Sequence, residues 1–322
     1  MNRREFLGLS LGAAVLLRVQ ALLEPPAPRS RREPLALVTA DTEAHVVVVS
    51  LAAGRVAGRI ATVEDPRSIQ SGPGGRAVVA HSAAGRVTLL EGRPVRVRRV
   101  LRGFGAPRYT AIAPDGRHAF VTDGGHGEVA ALDLVRGRVI SRVEVGDGAR
   151  HVTIDPRGRT LWVALGSSAA EIVVIDVADP ARPRPVRRIA PPFLAHDVGF
   201  SPSGRRVWVT AGRSRHVAVY AVAGRAPLRL LGADDAPQHV TFSRGAAFVA
   251  SGDRGSVRVH SLADGRVRRR ARVPVGSYNV QRAGGRVLTP SLAAGTLTVL
   301  GLDGAVRDQV HVASAAHDAC AV

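Results

Sequence analysis

The chain has 322 residues, 45% of them hydrophobic, so it can bury a large core and is too rich in valine, leucine and alanine to be a disordered chain. Its formal net charge of +19 would ordinarily favour a nucleic-acid partner, but all 45 basic residues are arginine. That uniformity indicates a compositional bias rather than selection for phosphate contacts, which makes nucleic acid a secondary hypothesis. The single cysteine, Cys320, excludes an intramolecular disulfide.

The N-terminal residues predict a targeting segment followed by a linker. A basic pair at positions 3 and 4 precedes an apolar stretch that ends at Leu17. As a helix this stretch would extend only ~18 Å, too short for a bilayer core of ~30 Å. The run "RREFL" at positions 3 to 7 resembles a twin-arginine export signal, and a small-x-Ala cleavage site ends at Ala21. We predict a signal peptide over residues 1–21 and a proline- and arginine-rich linker over residues 22–34.

The resemblance to an export signal implies a location outside the cytoplasm, in the periplasm or the extracellular space. This route carries folded proteins, often with cofactors already inserted. An uncleaved signal would tether the protein to the membrane, and beyond it we predict no transmembrane segment.

From Leu35 onward one phrase recurs seven times, with a period of about 41 residues. Each copy reads as four short strands separated by glycine-rich turns, as in "APDGRHAFVTDGGHGEVAALDL" at positions 113 to 134. One such sheet cannot bury both of its faces, whereas seven packed around an axis can. The sequence therefore predicts an all-β, seven-bladed β-propeller of four-stranded antiparallel blades. The predicted blades lie near residues 35–65, 66–105, 106–147, 148–193, 194–234, 235–274 and 275–313.

The two ends of the repeat region predict how the ring closes. The first copy begins on the second strand of a blade, so it lacks an innermost strand. The C-terminal "AHDACAV" matches the innermost strand "AHDVGF" of residues 195–200 and has no blade after it. Residues 314–322 should therefore complete blade 1. This also places Cys320 in a buried strand, where an unreactive thiol is expected.

The copies resemble the YVTN-type propeller repeats in three features, which are an aromatic-Val-Thr triplet, a strand that ends in Asp-Leu, and a Pro-Asp-Gly turn. The closest copy has "PDG" at 114–116, "FVT" at 120–122 and "DL" at 133–134, and the resemblance covers about residues 35–322. The WD-repeat signature is absent, because neither Trp162 nor Trp208 is followed by Asp. The resemblance implies a ligand- or protein-binding propeller of bacterial envelopes. Propellers of similar repeat type also include lactonases and metal-dependent redox proteins.

Candidate site residues follow from the propeller, because the innermost strands begin at the mouth of the axial channel. Four histidines at this level suggest a transition-metal site, with two aspartates as further ligands or as orienting groups. Alternation along a strand would point His196 and His317 one way and His151 and His239 another. The alternative is a water-lined mouth of ordinary polar residues. The mouth candidates are Arg67, Arg108, Tyr109, Arg150, His151, His196, Asp197, Gln238, His239, Tyr278, His317 and Asp318, and the metal candidates among them are His151, His196, His239 and His317.

The arginines at the mouth, Arg67, Arg108 and Arg150, suggest a site for a small carboxylate or phosphate. Motifs of serine hydrolases, zinc proteases and nucleotide-binding proteins are absent from the sequence. We therefore predict a monomeric, exported, non-enzymatic propeller that binds a small anionic ligand or a protein partner at its mouth. The alternative is an enzyme of lactonase or metal-dependent redox type with a His/Asp site there.

Overall fold

The computed structural model describes residues 34–322, which form seven four-stranded antiparallel sheets arranged as a ring. The predicted seven-bladed β-propeller is confirmed. Within these residues, none of the helices is long and apolar enough to cross a membrane. The predicted export signal and all but the last residue of the predicted linker lie outside the described residues and stay predictions.

Each blade consists of an innermost strand and three strands that follow it outward. Blade 1 contains β28 (Ala316–Ala321), β1 (Leu35–Ala40), β2 (His45–Ser50) and β3 (Arg55–Ala61), and blade 2 contains β4 (Pro66–Ser71), β5 (Ala77–His81), β6 (Arg86–Glu91) and β7 (Arg96–Leu101). Blade 3 contains β8 (Pro107–Ile112), β9 (His118–Asp123), β10 (Glu128–Asp133) and β11 (Arg138–Glu144), and blade 4 contains β12 (Ala149–Ile154), β13 (Thr160–Leu165), β14 (Ile172–Asp176) and β15 (Arg184–Ile189). Blade 5 contains β16 (Ala195–Phe200), β17 (Arg206–Ala211), β18 (His216–Ala221) and β19 (Pro227–Gly232), and blade 6 contains β20 (Val240–Phe242), β21 (Ala246–Ser251), β22 (Ser256–Ser261) and β23 (Val267–Arg272), with a 3-10 turn at Gly252–Arg254. Blade 7 contains β24 (Gln281–Ala283), β25 (Arg286–Ser291), β26 (Thr296–Gly301) and β27 (Val306–His311).

The C-terminal strand closes the ring, as the sequence predicts. β28 pairs antiparallel with β1, with Cys320 opposite Leu37. Cys320 is buried, and burial raises the pKa of its thiol to about 12. This agrees with the expected unreactive cysteine, because the thiolate is the reactive form.

The core is divided among the blade interfaces. Seven apolar clusters lie within residues 34–322, and each joins one blade to the next around the ring. Between blades 4 and 5, for example, the Trp162 ring packs 5.9 Å from Tyr220 and 6.4 Å from Phe200, measured between ring centroids. Because each blade is buried only by its neighbours, the ring has to be complete for any blade to be fully covered.

Tight turns bring neighbouring blades close together. In the Pro-Asp-Gly turn of blade 3, Asp115 Oδ1 accepts hydrogen bonds from the backbone amides of Arg117 and His118. Gly116 follows with φ of 64°, and a Cβ there would lie 2.7 Å from the carbonyl oxygen of Pro73 in blade 2. Only glycine fits both the positive φ and this approach.

Arginines of the outermost strands also join the blades. Arg98 of β7 donates to the carbonyl oxygens of Leu134 and Val135 in blade 3, at 2.6 and 2.5 Å. Arg187 of β15 makes the same pair of contacts with blade 5. The planar guanidinium reaches two adjacent carbonyls, which the single ammonium of a lysine does less well. Part of the large positive charge is therefore used in holding the ring together.

Candidate functional site

The innermost strands surround an axial cavity of about 270 Å³, lined by residues of all seven blades. All twelve mouth candidates lie at or just before the start of one of these strands. Four of the twelve candidates line this cavity, namely Tyr109, Asp197, His239 and Asp318. The contacts below show which of the twelve side chains lie together.

Bulges in the innermost strands decide where the side chains point. The pairing of β12 with β13 is interrupted between Ala149 and Val152, which takes Arg150 and His151 out of the regular ladder. β16 is interrupted in the same way at His196. A bulge re-aims side chains that simple alternation would send to opposite faces. The expectation that His196 and His151 point to different centres is therefore wrong.

Threonines near the ends of second strands hold the bulge of β16 and the equivalent part of β28. Thr210 Oγ1 accepts the backbone amide of Asp197 at 3.0 Å and donates to the carbonyl oxygen of Gln238 in the next blade. Thr39 accepts the amide of Asp318 at 2.9 Å in blade 1. The sequence analysis missed this role, although the threonine recurs in the aromatic-Val-Thr triplet and was available as a signal.

Three histidines from three adjacent blades meet at the mouth. The ring centroids of His151 and His196 lie 4.4 Å apart, those of His151 and His239 4.9 Å apart, and those of His196 and His239 5.4 Å apart. One ring nitrogen from each histidine lies within 4.8 Å of the other two. We call His151, His196 and His239 the histidine triad.

Two members of the histidine triad are oriented by acceptors behind them. His196 Nδ1 lies 2.9 Å from the carbonyl oxygen of Ser167, and His239 Nδ1 lies 3.3 Å from Asp197 Oδ2. A carbonyl oxygen only accepts, so His196 Nδ1 carries the proton and its Nε2 keeps the lone pair. This is the arrangement in which metal-binding histidines are held in proteins.

The third member, His151, has no hydrogen-bond partner at either ring nitrogen, although only 1% of the residue is exposed. Burial, together with His196 and His239, holds its pKa well below the usual range. Burial also lowers the pKa of His196 to about 3. At neutral pH the imidazoles of His151 and His196 are therefore uncharged, and each keeps one nitrogen lone pair.

Tyr109 and Arg150 complete the group. The Tyr109 ring lies 4.4 Å from the His151 ring, its hydroxyl oxygen is 3.4 Å from His239 Nε2, and burial raises its pKa to about 12. The Arg150 guanidinium lies 5.7 Å from the Tyr109 ring centroid, and its buried Nε has no hydrogen-bond partner. Within residues 34–322, no carboxylate forms an ion pair with Arg150 or with its neighbour Arg108.

The remaining candidates are used in the framework. His317 lies outside the histidine triad, with Nδ1 2.6 Å from the carbonyl oxygen of Arg67, so the structure does not bring all four predicted metal histidines together. The Arg67 guanidinium pairs with Asp41 at 3.0 Å. Asp318 Oδ2 accepts the amide of Ile69 in blade 2 at 3.0 Å, and burial raises its pKa to about 7.

Gln238 and Tyr278 support the loop that follows β21. Gln238 Oε1 accepts the backbone amide of Gly252 at 2.9 Å, and the Tyr278 hydroxyl donates to Asp253 at 2.9 Å. Both side chains are thus engaged within blades 6 and 7.

A second acidic and histidine group, Asp123, His126 and Glu128, lies on blade 3. Asp123 already accepts the backbone amides of Gly105 and Ala106, at 2.8 Å each, and Glu128 is paired with Arg142. Its carboxylates are therefore committed to the loop, unlike the nitrogens of the histidine triad.

Comparison with known proteins bears on the fold. The sequence profile of the family described as "YNCE-like beta-propeller" matches residues 10–320. No curated protein matches this sequence.

Solved structures with the same fold have low sequence identity to this chain. A functionally unknown protein from Desulfotomaculum acetoxidans DSM 771 is 14% identical with a TM-score of 0.77, over 89% of this chain and 98% of that one. Kuenenia stuttgartiensis hydrazine synthase is 21% identical with a TM-score of 0.63, over 74% of this chain and 77% of that one. The dihydro-heme d1 dehydrogenase NirN in complex with DHE is 16% identical with a TM-score of 0.62, over 92% and 77%. These likenesses show the fold alone.

Proposed function

We propose that this chain, which belongs to the YNCE-like beta-propeller family, is an exported binding protein whose channel mouth holds a transition-metal ion on the histidine triad. The observation that carries the proposal is His151, a buried histidine whose two ring nitrogens lack any hydrogen-bond partner. An unsatisfied buried polar atom costs about 1–3 kcal/mol, so such a residue calls for an explanation. A metal ion would take one of its lone pairs.

The surroundings of His151 favour this explanation. Metal ligation requires neutral imidazoles, and burial keeps His151 and His196 neutral. His196 and His239 have Nδ1 bound from behind, which leaves Nε2 to the ion. Imidazole donors suit copper, zinc, iron and nickel, and Cu(II) has the highest affinity among the divalent ions of this series.

We propose binding rather than hydrolysis because both mouth aspartates already hold the framework. Asp197 Oδ2 accepts the amide of Val240 at 3.1 Å besides facing His239, and Asp318 accepts the amides of Ile69 and Ala319. A redox role would use the same three histidines and would follow if the ion is redox-active. Location in the periplasm or outside the cell, and action as a monomer, are parts of the proposal, the first of which depends on the export signal predicted from the sequence.

Metal analysis of the protein purified without an affinity tag, after equilibration with Cu(II) and then gel filtration, tests the proposal. We expect stoichiometric metal in the wild type and a metal affinity at least about tenfold lower in His151→Gln and His196→Gln, because each loses a ligand. His317→Gln is the matched control, since His317 lies outside the histidine triad, and it should retain the metal. Metal-free wild type, or equal loading of His151→Gln, would contradict the proposal.

A second candidate ligand is a small anion, favoured by Arg150. Its buried Nε has no partner, and Arg108 lies near enough to help burial lower the Arg150 pKa. Two guanidiniums without a carboxylate partner suit a carboxylate or phosphate group.

Calorimetric titration with succinate and with inorganic phosphate tests this candidate. Loss of a charge-assisted hydrogen bond in Arg150→Gln should weaken binding about 10- to 100-fold. The exposed Arg266→Gln should bind as the wild type does. Equal affinities in the wild type and Arg150→Gln would remove the mouth as the anion site.

A further inference from the structure

The position of Tyr109 relative to the histidine triad is that of another ligand. Its hydroxyl group forms a hydrogen bond of 3.4 Å with His239 Nε2, the ring nitrogen opposite the one that faces Asp197, and a metal ion would replace this contact. Two donors bound to one tetrahedral ion at about 2 Å each are separated by about 3.3 Å. The Tyr109 ring also lies 4.4 Å from the His151 ring and 5.4 Å from the His239 ring, measured between centroids, so it contacts two members of the histidine triad.

We propose that Tyr109 binds the metal as a phenolate, so that the centre has three imidazole ligands and one phenolate ligand. This inference rests on the proposed function and names the fourth protein ligand, with Cu(II) as the probe ion. Coordination breaks the phenolic O–H bond, forms an oxygen–metal bond and releases one proton to solvent. No electron transfer is involved.

The charges at the mouth support a phenolate. Three neutral imidazoles leave the double charge of the ion uncompensated, and Arg150 adds another positive charge beside it. The carboxylate of Asp197 stands behind His239 and offsets part of this charge. A phenolate bound directly to the ion offsets more, because electrostatic interactions are strong in a buried site.

Arg150 is placed to stabilise the phenolate. Its guanidinium lies over the Tyr109 ring, 5.7 Å from the centroid, so its positive charge stands beside the oxygen that would become the phenolate. A bound cation favours the phenolate, as it favours the thiolate of a coordinating cysteine.

Optical spectroscopy of the metal-loaded protein tests the inference without any enzymatic assay. Cu(II) bound to a phenolate gives a visible ligand-to-metal charge-transfer band, whereas d10 Zn(II) gives none. We expect the band in the wild type with Cu(II), its absence with Zn(II), and its loss in Tyr109→Phe together with at least about a tenfold lower Cu(II) affinity. Tyr278→Phe is the matched control, because its hydroxyl donates to Asp253 away from the histidine triad, and it should keep the band.

The outcomes separate this inference from the proposed function. A wild type that binds Cu(II) stoichiometrically without the band, or a Tyr109→Phe variant with unchanged band and affinity, overturns the phenolate and leaves the histidine site standing. A wild type that binds no Cu(II) overturns both. Resonance Raman spectra of the wild type, excited in the band, should show phenolate ring modes, which supports the assignment without relying on the folding of any variant.

Discussion

Removal of residues 316–322 is expected to lower the melting temperature of the protein by at least about 10 °C. The deletion removes β28, so blade 1 loses its innermost strand and its pairing with β1. Two of the seven apolar clusters contain side chains of β28, with Ala319 packed towards blade 7 and Cys320 towards blade 2. Domains are stable by only about 5–15 kcal/mol, so opening two interfaces removes a large share of that margin.

Thermal unfolding of the truncated chain, followed by circular dichroism, measures this effect. A synthetic peptide of residues 314–322 added in excess should restore much of the loss by adding its strand to β1, whereas a scrambled peptide should not. A truncated chain that melts within about 2 °C of the full chain would show that β28 contributes little to the stability of the folded ring.

The ring could be predicted because its determinants are repeated. Apolar alternation and turn residues occur in all seven copies, so an error in one copy is corrected by the others. The likeness of "AHDACAV" to the innermost strand of blade 5 is enough to predict the closing strand, which the pairing of β28 with β1 confirms. The level of the mouth followed from the same alignment, since all twelve candidates lie at the starts of innermost strands.

The sequence does not predict which of the candidate residues contact each other, because these contacts depend on local backbone geometry that the repeat pattern does not encode. His196 meets His151 only because bulges interrupt both innermost strands, and a bulge leaves the apolar pattern on either side intact. The acceptor for His196 is the backbone carbonyl of Ser167, which has no side-chain signature. A backbone carbonyl, that of Arg67, also binds His317 Nδ1, and His317 lies outside the histidine triad.

Replacement of Asp318 by asparagine is expected to stabilise the protein increasingly as the pH rises. Burial raises the pKa of Asp318 to about 7, against about 3.9 in an unfolded chain. Between these values the folded state holds a proton that the unfolded state has lost. The contribution of Asp318 to stability is therefore fully present below about pH 3.9 and is lost as the pH rises through about 7. Asparagine does not titrate, and its side-chain oxygen can still accept the amide of Ile69. The acceptor for the Ala319 amide is lost, which costs a similar amount at every pH and leaves the pH dependence of the difference unchanged.

The free energy of unfolding of Asp318→Asn minus that of the wild type should therefore grow by up to about 4 kcal/mol between about pH 4 and pH 8. Urea unfolding of chelator-treated protein across this pH range measures this difference. Burial lowers the pKa of His317 to about 3, which has the opposite effect on stability, but this contribution cancels because both proteins contain His317.

Asp133→Asn is the control, for which the pH dependence should have the opposite sign. Burial raises the Asp133 pKa, but hydrogen bonds from Arg136 and Arg117 outweigh burial and hold it well below the usual range. Its replacement should therefore destabilise at neutral pH and less in acid. A pH-independent difference for Asp318→Asn would mean that the carboxyl is ionised in the folded ring, and that the groups at the mouth compensate its charge.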